Sequence, residues 1–432
     1  MTRPQQDGLT LLALGVLVFL ALGITLEVTA SNAMIDFKVL YYSARCLVEH
    51  RDPYSPAEIT RVYRAEDPHP TADEVQQQVI AHPIYPPTAL LLTVPFALLP
   101  WGPAHFLWMA LIAASFTLAA YLIWRVCAGH APVISGALIG LLLADCGLLL
   151  LLGNAAGVAV TFTIIGAYCI VDARFSLIGV LALAIALLYK PHDAGLIWLA
   201  LLLAGGVWRK RALQTLAVAA AVSIPAFLWV MRVAPGWLTE LRANLTGDSA
   251  FAALNDPGRA SLASRNPNMV IDLQAAVSVF WPDARAYNLI SAAICAALLL
   301  VGAFITLRRV RTARTLWFAM AVAAPLTMLV SYHRPHDAKL LLLTMPACAL
   351  LCAARGPAAR LAVLVNTLAF LFTGTIALAL AVNLAANLHL TTATFAGKIL
   401  TALVARPASV VLLLSAAFYL LAYVRITRDN AA

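Results

Sequence analysis

Apolar runs long enough to cross a bilayer recur through almost the whole chain and leave room for little else. Runs at 9–29, 104–125, 132–151, 155–171, 175–189, 193–208, 212–231, 286–307, 315–331, 339–354, 360–386 and 405–424 approach or exceed the ~20 residues that cover ~30 Å of hydrocarbon. Composition agrees. Of 432 residues, 62% are hydrophobic and 11% charged, whereas soluble domains are about 25% charged. The expected fold class is all-α, a polytopic membrane protein of about 12 transmembrane helices in one domain over 1–432.

The net charge of +9 could suggest a nucleic-acid partner, but the basic residues are scattered through short loops. That dispersal is the topology signal of a membrane protein, so the expected partners are membrane lipids and no nucleic acid. Clusters at Arg209-Lys210-Arg211, Arg308/Arg309/Arg311/Arg314, Arg355/Arg360 and Arg425/Arg428 are expected on the cytoplasmic side. The turns 190–192 and 332–338 and the long loops 30–103 and 232–285 then lie outside, with both termini cytoplasmic. The first run is long for a signal peptide and reads as an uncleaved span. The seven cysteines mostly lie inside apolar runs without metal-ligand spacing, as small apolar fillers.

Residues 88–99 are apolar but too short to span, and a thirteenth crossing there would invert the later basic clusters. A re-entrant or interface-lying segment is expected, its backbone covered by protein or a water-filled cavity. In the first outer loop, Phe37, Leu40, Tyr41, Ala44 and Val48 fall at helical spacing, the pattern of an amphipathic helix on the membrane surface. Residues 57–79 read as a solvated helix with turns. In 232–285, Asp248, Asn255-Asp256-Pro257-Gly258 and Arg265-Asn266-Pro267-Asn268 carry the turn chemistry of a structured cap.

Two turns echo one another. Tyr189-Lys190-Pro191-His192-Asp193-Ala194 and Tyr332-His333-Arg334-Pro335-His336-Asp337-Ala338 each supply a cation, a proline, a histidine and an aspartate at the outer boundary. Cations in short outer turns run against the positive-inside trend. Snorkelling plus an aspartate N-cap is the plain reading. An anion site is the functional one, because Lys and Arg beside helix N-termini suit phosphate. Asp36 in the first outer loop has two readings likewise: a cap for the helix starting at Phe37, or a general base at the water boundary. Phe37, Tyr41, Tyr42 and Tyr85 fit an aromatic belt or a sugar pocket equally. Asp145 and Asn154 are candidate polar lining. Lys38 and Arg45 can pair with carboxylates or meet a lipid phosphate.

Asp36-Phe37 with Val39-Leu40-Tyr41-Tyr42, then Asp52-Pro53-Tyr54, then Tyr85-Pro86-Pro87 resembles glycosyltransferase family 87. Gly153-Asn154, Lys190-Pro191 and the late His-bearing turn extend the resemblance over most of the chain. It implies the GT-C fold, with 30–87 as outer catalytic loop and 232–285 as cap. It also implies inverting transfer of a sugar, mannose first, from a polyprenyl-phosphate donor to a lipid or glycan acceptor, at the outer face of a bacterial inner membrane. Asp36 would deprotonate the acceptor hydroxyl. Lys190 and Arg334, with His192, His333 or His336, would stabilise the departing phosphate, and Lys38, Tyr41, Arg45, Tyr85, Asn154, Asp193 and Asp337 complete the expected substrate-binding set. Two positions depart from the pattern. The family's Gly-Gln-x-Asn turn reads Gly153-Asn154-Ala155-Ala156, and the first loop has Asp36-Phe37-Lys38 without Asp-x-Asp. The expectation is therefore no metal and no cofactor beyond the donor. A flippase or transporter, a GT-C ligase and an arabinofuranosyltransferase are the alternatives. A transporter should show matching broken helices in both halves, and the long polar insert has no counterpart in the second half.

Overall fold

A computed structural model of the chain describes residues 1–30, 33–66, 73–246, 257–258, 270–309, 312–388, 390 and 392–429. Among these every regular element is a helix. Helix α1 (Arg3–Thr29) leads into the first polar insert, which folds as α2 (Ile35–Val48), α3 (Pro56–Glu66), α4 (Glu74–Ala81) and α5 (Pro87–Ala97). A run of helices follows: α6 (Trp101–Cys127), α7 (Pro132–Ala144), α8 (Gly147–Leu152), α9 (Ala156–Asp172), α10 (Ser176–Tyr189), α11 (Pro191–Ala204) and α12 (Gly206–Val233). After α13 (Trp237–Thr246) and the short α14 (Leu273–Val277) come α15 (Ala284–Arg309) and α16 (Ala313–Val330). A 3-10 turn (Asp337–Thr344) runs into α17 (Met345–Ala354), followed by α18 (Pro357–Phe372), α19 (Thr375–Asn387), α20 (Phe395–Ala405) and α21 (Pro407–Asp429).

Seven of these elements are long and apolar enough to cross a membrane: α1, α6, α12, α15, α16, the 337–354 element and α21. An eighth is added if α18 and α19, bent by 78° where they meet, count as one. The expected runs at 132–151, 155–171, 175–189 and 193–208 are instead the shorter apolar helices α7 to α11. At 1.5 Å per residue, helices of 13 to 17 residues reach only about 20–26 Å. Seven or eight elements are thus long enough to span alone, with shorter apolar helices among them, and the count of twelve is not confirmed.

Glycines lock the first of these together. Gly8, Gly15 and Gly23 of α1 lie against Pro132, Gly140 and Leu150 of α7 and α8, and a Cβ on Gly15 would sit 2.4 Å from Gly140 Cα. One on Gly136 would meet the Gly8 carbonyl at 2.0 Å. Backbones that touch in this way are the small-residue packing of membrane helices. The two segments run parallel, which carries the end of α1 towards the 151–154 turn.

The insert differs from its expected form. Helix α2 forms where helical spacing called for it, but it does not lie bare on a surface. Phe37, Leu40, Tyr41 and Ala44 are fully buried, and so are Tyr42, Cys46 and Leu47 on its other sides. Helices α3, α4 and α5 pack around it. The apolar edge of α3 (Ile59, Val62, Tyr63) is buried there while Arg61 stays exposed. Segment 88–99 is realised as α5, eleven residues with Pro95 inside. Protein covers it: it packs on α2, α10 and α12, and the Thr88 hydroxyl donates to the Leu188 carbonyl at 2.6 Å. In the 232–285 loop, Asp248, Asn255, Asp256 and the 265–268 turn lie outside the described residues.

Candidate active site

Asp36 is held by the close approach of two turns. The Met34 N–H donates to the Leu151 carbonyl at 2.6 Å. Gly153 adopts φ +60°, and a Cβ there would press on Met34 Sδ at 2.8 Å and Phe37 Cβ at 2.9 Å, so glycine is required on both counts. The Trp108 indole N–H fixes the turn by donating to the Gly153 carbonyl at 2.7 Å, and its ring stacks on Phe37 at 4.7 Å. Asn154 follows. Its Oδ1 accepts from the Ala156 N–H at 2.8 Å, starting α9, and its Nδ2 donates to Asp36 Oδ2 at 2.7 Å. Asp36 is therefore not the cap of α2, since Met34 occupies that position. It is a half-buried carboxylate oriented by a side-chain amide.

The two echoing turns meet each other. Lys190, buried between α10 and α11, makes a very short contact to Asp337 and lies 3.4 Å from Asp193 Oδ2. Burial opposes its charge, but the Asp193 and Asp337 carboxylates outweigh that and hold the ammonium protonated well above the ordinary lysine range. The second oxygen of Asp337 accepts from the Arg334 N–H at 2.8 Å. Arg334 Nε donates to the Tyr332 hydroxyl. His333 and Asp193 are both wholly buried, with Nε2 3.1 Å from Oδ1. His192 Nε2 stands 3.7 Å from the same oxygen, and His336 Nε2 3.7 Å from Asp337 Oδ2. The plain reading of these aspartates as N-caps does not hold, because the cap position before α11 is Lys190 and that before the 3-10 turn is His336.

Asp36 lies within electrostatic reach of this cluster. Burial works to discharge Arg334, while the Tyr332 hydroxyl and the Asp36 carboxylate hold its charge. Burial lowers the His336 pKa, favouring the neutral ring, against the pull of Asp337 and Asp36. Tyr85 is kept far from ionising by burial and then by the charges of Asp36 and Asp337. Its backbone is pinned by the Tyr54 hydroxyl, which donates to the Tyr85 carbonyl at 2.9 Å, and Asn244 of α13 donates to the Pro83 carbonyl at 3.1 Å. Asp36, Tyr85, Asn154, Lys190, His192, Asp193, His333, Arg334, His336 and Asp337 are thus brought together from five separate stretches of chain.

Three expected residues are not. Tyr41 is fully buried with its hydroxyl committed to the Leu99 carbonyl at 2.7 Å, its ring tilted against Phe37 and edge-on to Tyr42 and Trp101. Arg45 pairs with Glu66 at 2.7 Å and Glu49 at 3.2 Å and donates to the Ala97 carbonyl. Lys38 lies over the rings of Tyr63 and Trp101, 5.4 and 5.5 Å from their centroids. These side chains bind the insert to itself. Asp145 is likewise structural: its Oδ1 accepts from the Ile376 N–H at 3.1 Å and caps the start of α19.

The structure adds Asp272 to the site's edge. Asp272 Oδ1 caps α14 by accepting from Ala275 N at 2.9 Å, and the Ile271 N–H donates to the His333 carbonyl at 3.0 Å. Burial pushes the Asp272 carboxyl up to about 7. An aspartate directly before an apolar turn is an N-cap signal that sequence reading could have used.

Fold and site define a polytopic membrane protein with its polar machinery gathered at one end of the helices. The model of glycosyltransferase family 87 matches residues 84–331, more than half of the chain, and the chain belongs to that family. It is a membrane glycosyltransferase. Neither the curated proteins nor the solved structures contain a significant match. The matched stretch includes Asn154, Lys190 and Asp193 but stops short of Asp36, so the Asn154–Asp36 hydrogen bond is what ties the acid to the family's region.

Proposed function

We propose that the protein is an inverting transferase that moves a sugar, mannose as the first candidate, from a polyprenyl-phosphate donor to a lipid or glycan acceptor. The observation that carries this reading is Asp36, held by Asn154 at 2.7 Å and lying within electrostatic reach of Arg334 and His336. A fixed carboxylate suits removal of a proton from an acceptor hydroxyl. The freed oxygen attacks the anomeric carbon from the face opposite the phosphate, the glycosidic bond to phosphate breaks, and the phosphate leaves with the bonding pair. Lys190 and Arg334 then stabilise the charge on the leaving group.

Helix direction supports a side and setting for the site. One helix separates three of the basic clusters from a site residue: α11 runs from Lys190 towards Arg209, α16 from Arg314 to His333, and the 337–354 element from Asp337 to Arg355. By the positive-inside trend these clusters are cytoplasmic and the site faces out from a bacterial inner membrane, with the basic ends of the first and last helices inside.

The test is transfer of labelled sugar from polyprenyl-phosphate-mannose in membranes carrying wild type or Asp36→Asn. Transfer that needs both the protein and Asp36 is expected, with donor binding kept in the variant because a base acts on the chemical step. Lys190→Ala and Arg334→Ala should weaken binding and turnover together. Equal transfer by wild type and Asp36→Asn would remove Asp36 as base. Absence of transfer from this donor but not from polyprenyl-phosphate-arabinose would change the sugar and keep the mechanism.

A further inference from the structure

His333 and Asp193 confront each other at a distance that either a proton on Nε2 or a shared cation can fill. The Nδ1 of His333 lies 2.7 Å from the Ser331 carbonyl, so that nitrogen must carry a hydrogen and donate it. In the neutral ring Nε2 is then a bare lone pair, and it points at Asp193 Oδ1 from 3.1 Å. Both groups are fully buried. His192 brings a second ring nitrogen to within 3.7 Å of the same oxygen. Neither oxygen of Asp193, nor His333 Nε2, receives a properly aligned hydrogen bond from the described residues. Three acceptors converge where a positive charge is wanted.

We infer that Asp193 Oδ1 and the Nε2 atoms of His192 and His333 form a site for a divalent first-row transition ion of the zinc type. The three ligand atoms lie within 4.8 Å of one another. Bonds of about 2.0–2.1 Å to a tetrahedral zinc put ligand atoms about 3.3–3.4 Å apart, and the observed 3.1 and 3.7 Å bracket that edge. Two imidazoles and one carboxylate make the donor set of zinc sites that keep a fourth position open. The Ser331 carbonyl is the outer partner such a site needs, since it fixes the tautomer and aims Nε2 inward. Lys190 does not compete for the ion, because it sits on the other oxygen, Oδ2, and its shortest contact is Asp337. Charge favours a cation as well: three carboxylates, Asp36, Asp193 and Asp337, gather here, and among the described residues Lys190 and Arg334 are the cations recorded with them. Entry is open, as the His192 side chain is 41% exposed. The absence of Asp-x-Asp in the first loop gave no ground for a metal. These ligands come from the two echoing turns instead.

Metal content is read without any transfer assay, so this inference fails or stands apart from the proposed donor. The full chain, purified in detergent, is stripped with EDTA, reloaded with zinc chloride, desalted and its metal measured. Wild type is expected to retain about one zinc per chain, and Asp193→Asn, His333→Ala and His192→Ala to lose it, whereas Arg45→Ala, distant from the site, keeps it. X-ray absorption of the wild type, which needs no variant to fold, should show a shell of two imidazole nitrogens and one carboxylate oxygen. A wild type that retains no zinc overturns the site. So does zinc held equally by all three ligand variants, or an absorption spectrum with sulfur ligands.

Discussion

Lys190 serves two carboxylates at once, and that makes its removal the most informative perturbation of this fold. It is 9% exposed, in very short contact with Asp337 and 3.4 Å from Asp193 Oδ2. Deleting one partner of a buried ion pair costs about 3–5 kcal/mol, because the other charge is left uncompensated. The two sides are unequal here. In Asp337→Asn the lysine still has Asp193, and the amide oxygen can still accept from the Arg334 N–H, so a cost of about 3 kcal/mol is expected. In Lys190→Met two buried carboxylates lose their shared cation, and the cost moves to about 5 kcal/mol or more. Adding Asp337→Leu to Lys190→Met removes one stranded charge and should recover part of the loss. Thermal midpoints of the detergent-purified protein, followed by tryptophan fluorescence, read these costs as shifts of roughly 3–6 °C. Equal shifts from the two single variants would refute the sharing argument. A double variant less stable than Lys190→Met alone would do the same.

Other expectations are simpler. Asn154→Ala removes a hydrogen bond to a carboxylate, a contribution of about 1.5–3 kcal/mol. Turnover in the labelled-sugar assay should therefore fall by about 10–150-fold, with Asp36→Asn/Asn154→Ala no worse than Asp36→Asn alone. Gly15→Leu forces a side chain into a gap where even a Cβ would lie 2.4 Å from Gly140 Cα. Recovery of monodisperse protein on size exclusion should drop sharply, while Gly102→Leu, with open space around it, leaves it unchanged. Tyr41→Phe gives up the hydroxyl that donates to Leu99, costing about 1 kcal/mol of stability and leaving the KM for donor unaltered. Arg45→Ala should likewise lower the thermal midpoint without changing donor binding, since its partners are Glu49, Glu66 and a backbone carbonyl.

The apolar runs made the helices legible, and most expected ends fall within a few residues of those observed. Helix length was less legible, because composition does not reveal that 132–151 breaks at Asp145, where the side chain leaves its own run to cap α19. The ion-pair cluster was legible where chemistry repeated itself. Lys190, His192, Asp193, His333, Arg334, His336 and Asp337 sit in two turns whose similarity has a geometric cause: each turn supplies half of one ion-pair network. The first loop was read less well. Proximity in sequence made Lys38, Tyr41 and Arg45 look like companions of Asp36, yet a helix turns them towards α3, α5 and Trp101. Asp272 escaped attention because only the tertiary fold carries residues 270–272 to His333.

The pairing of Lys190 with Asp337 also has a schedule. The two residues are 147 positions apart, so at about 5–20 residues per second the ribosome finishes the lysine some 7–30 s before its partner. Through that interval a cation destined for burial has already emerged with the α10–α11 hairpin. Asp193, three residues on and 3.4 Å away in the finished structure, is the counter-charge made within the same second. It escorts Lys190 through insertion until the later turn arrives. A chain lacking Asp193 would meet its difficulty during synthesis, before any sugar could be transferred.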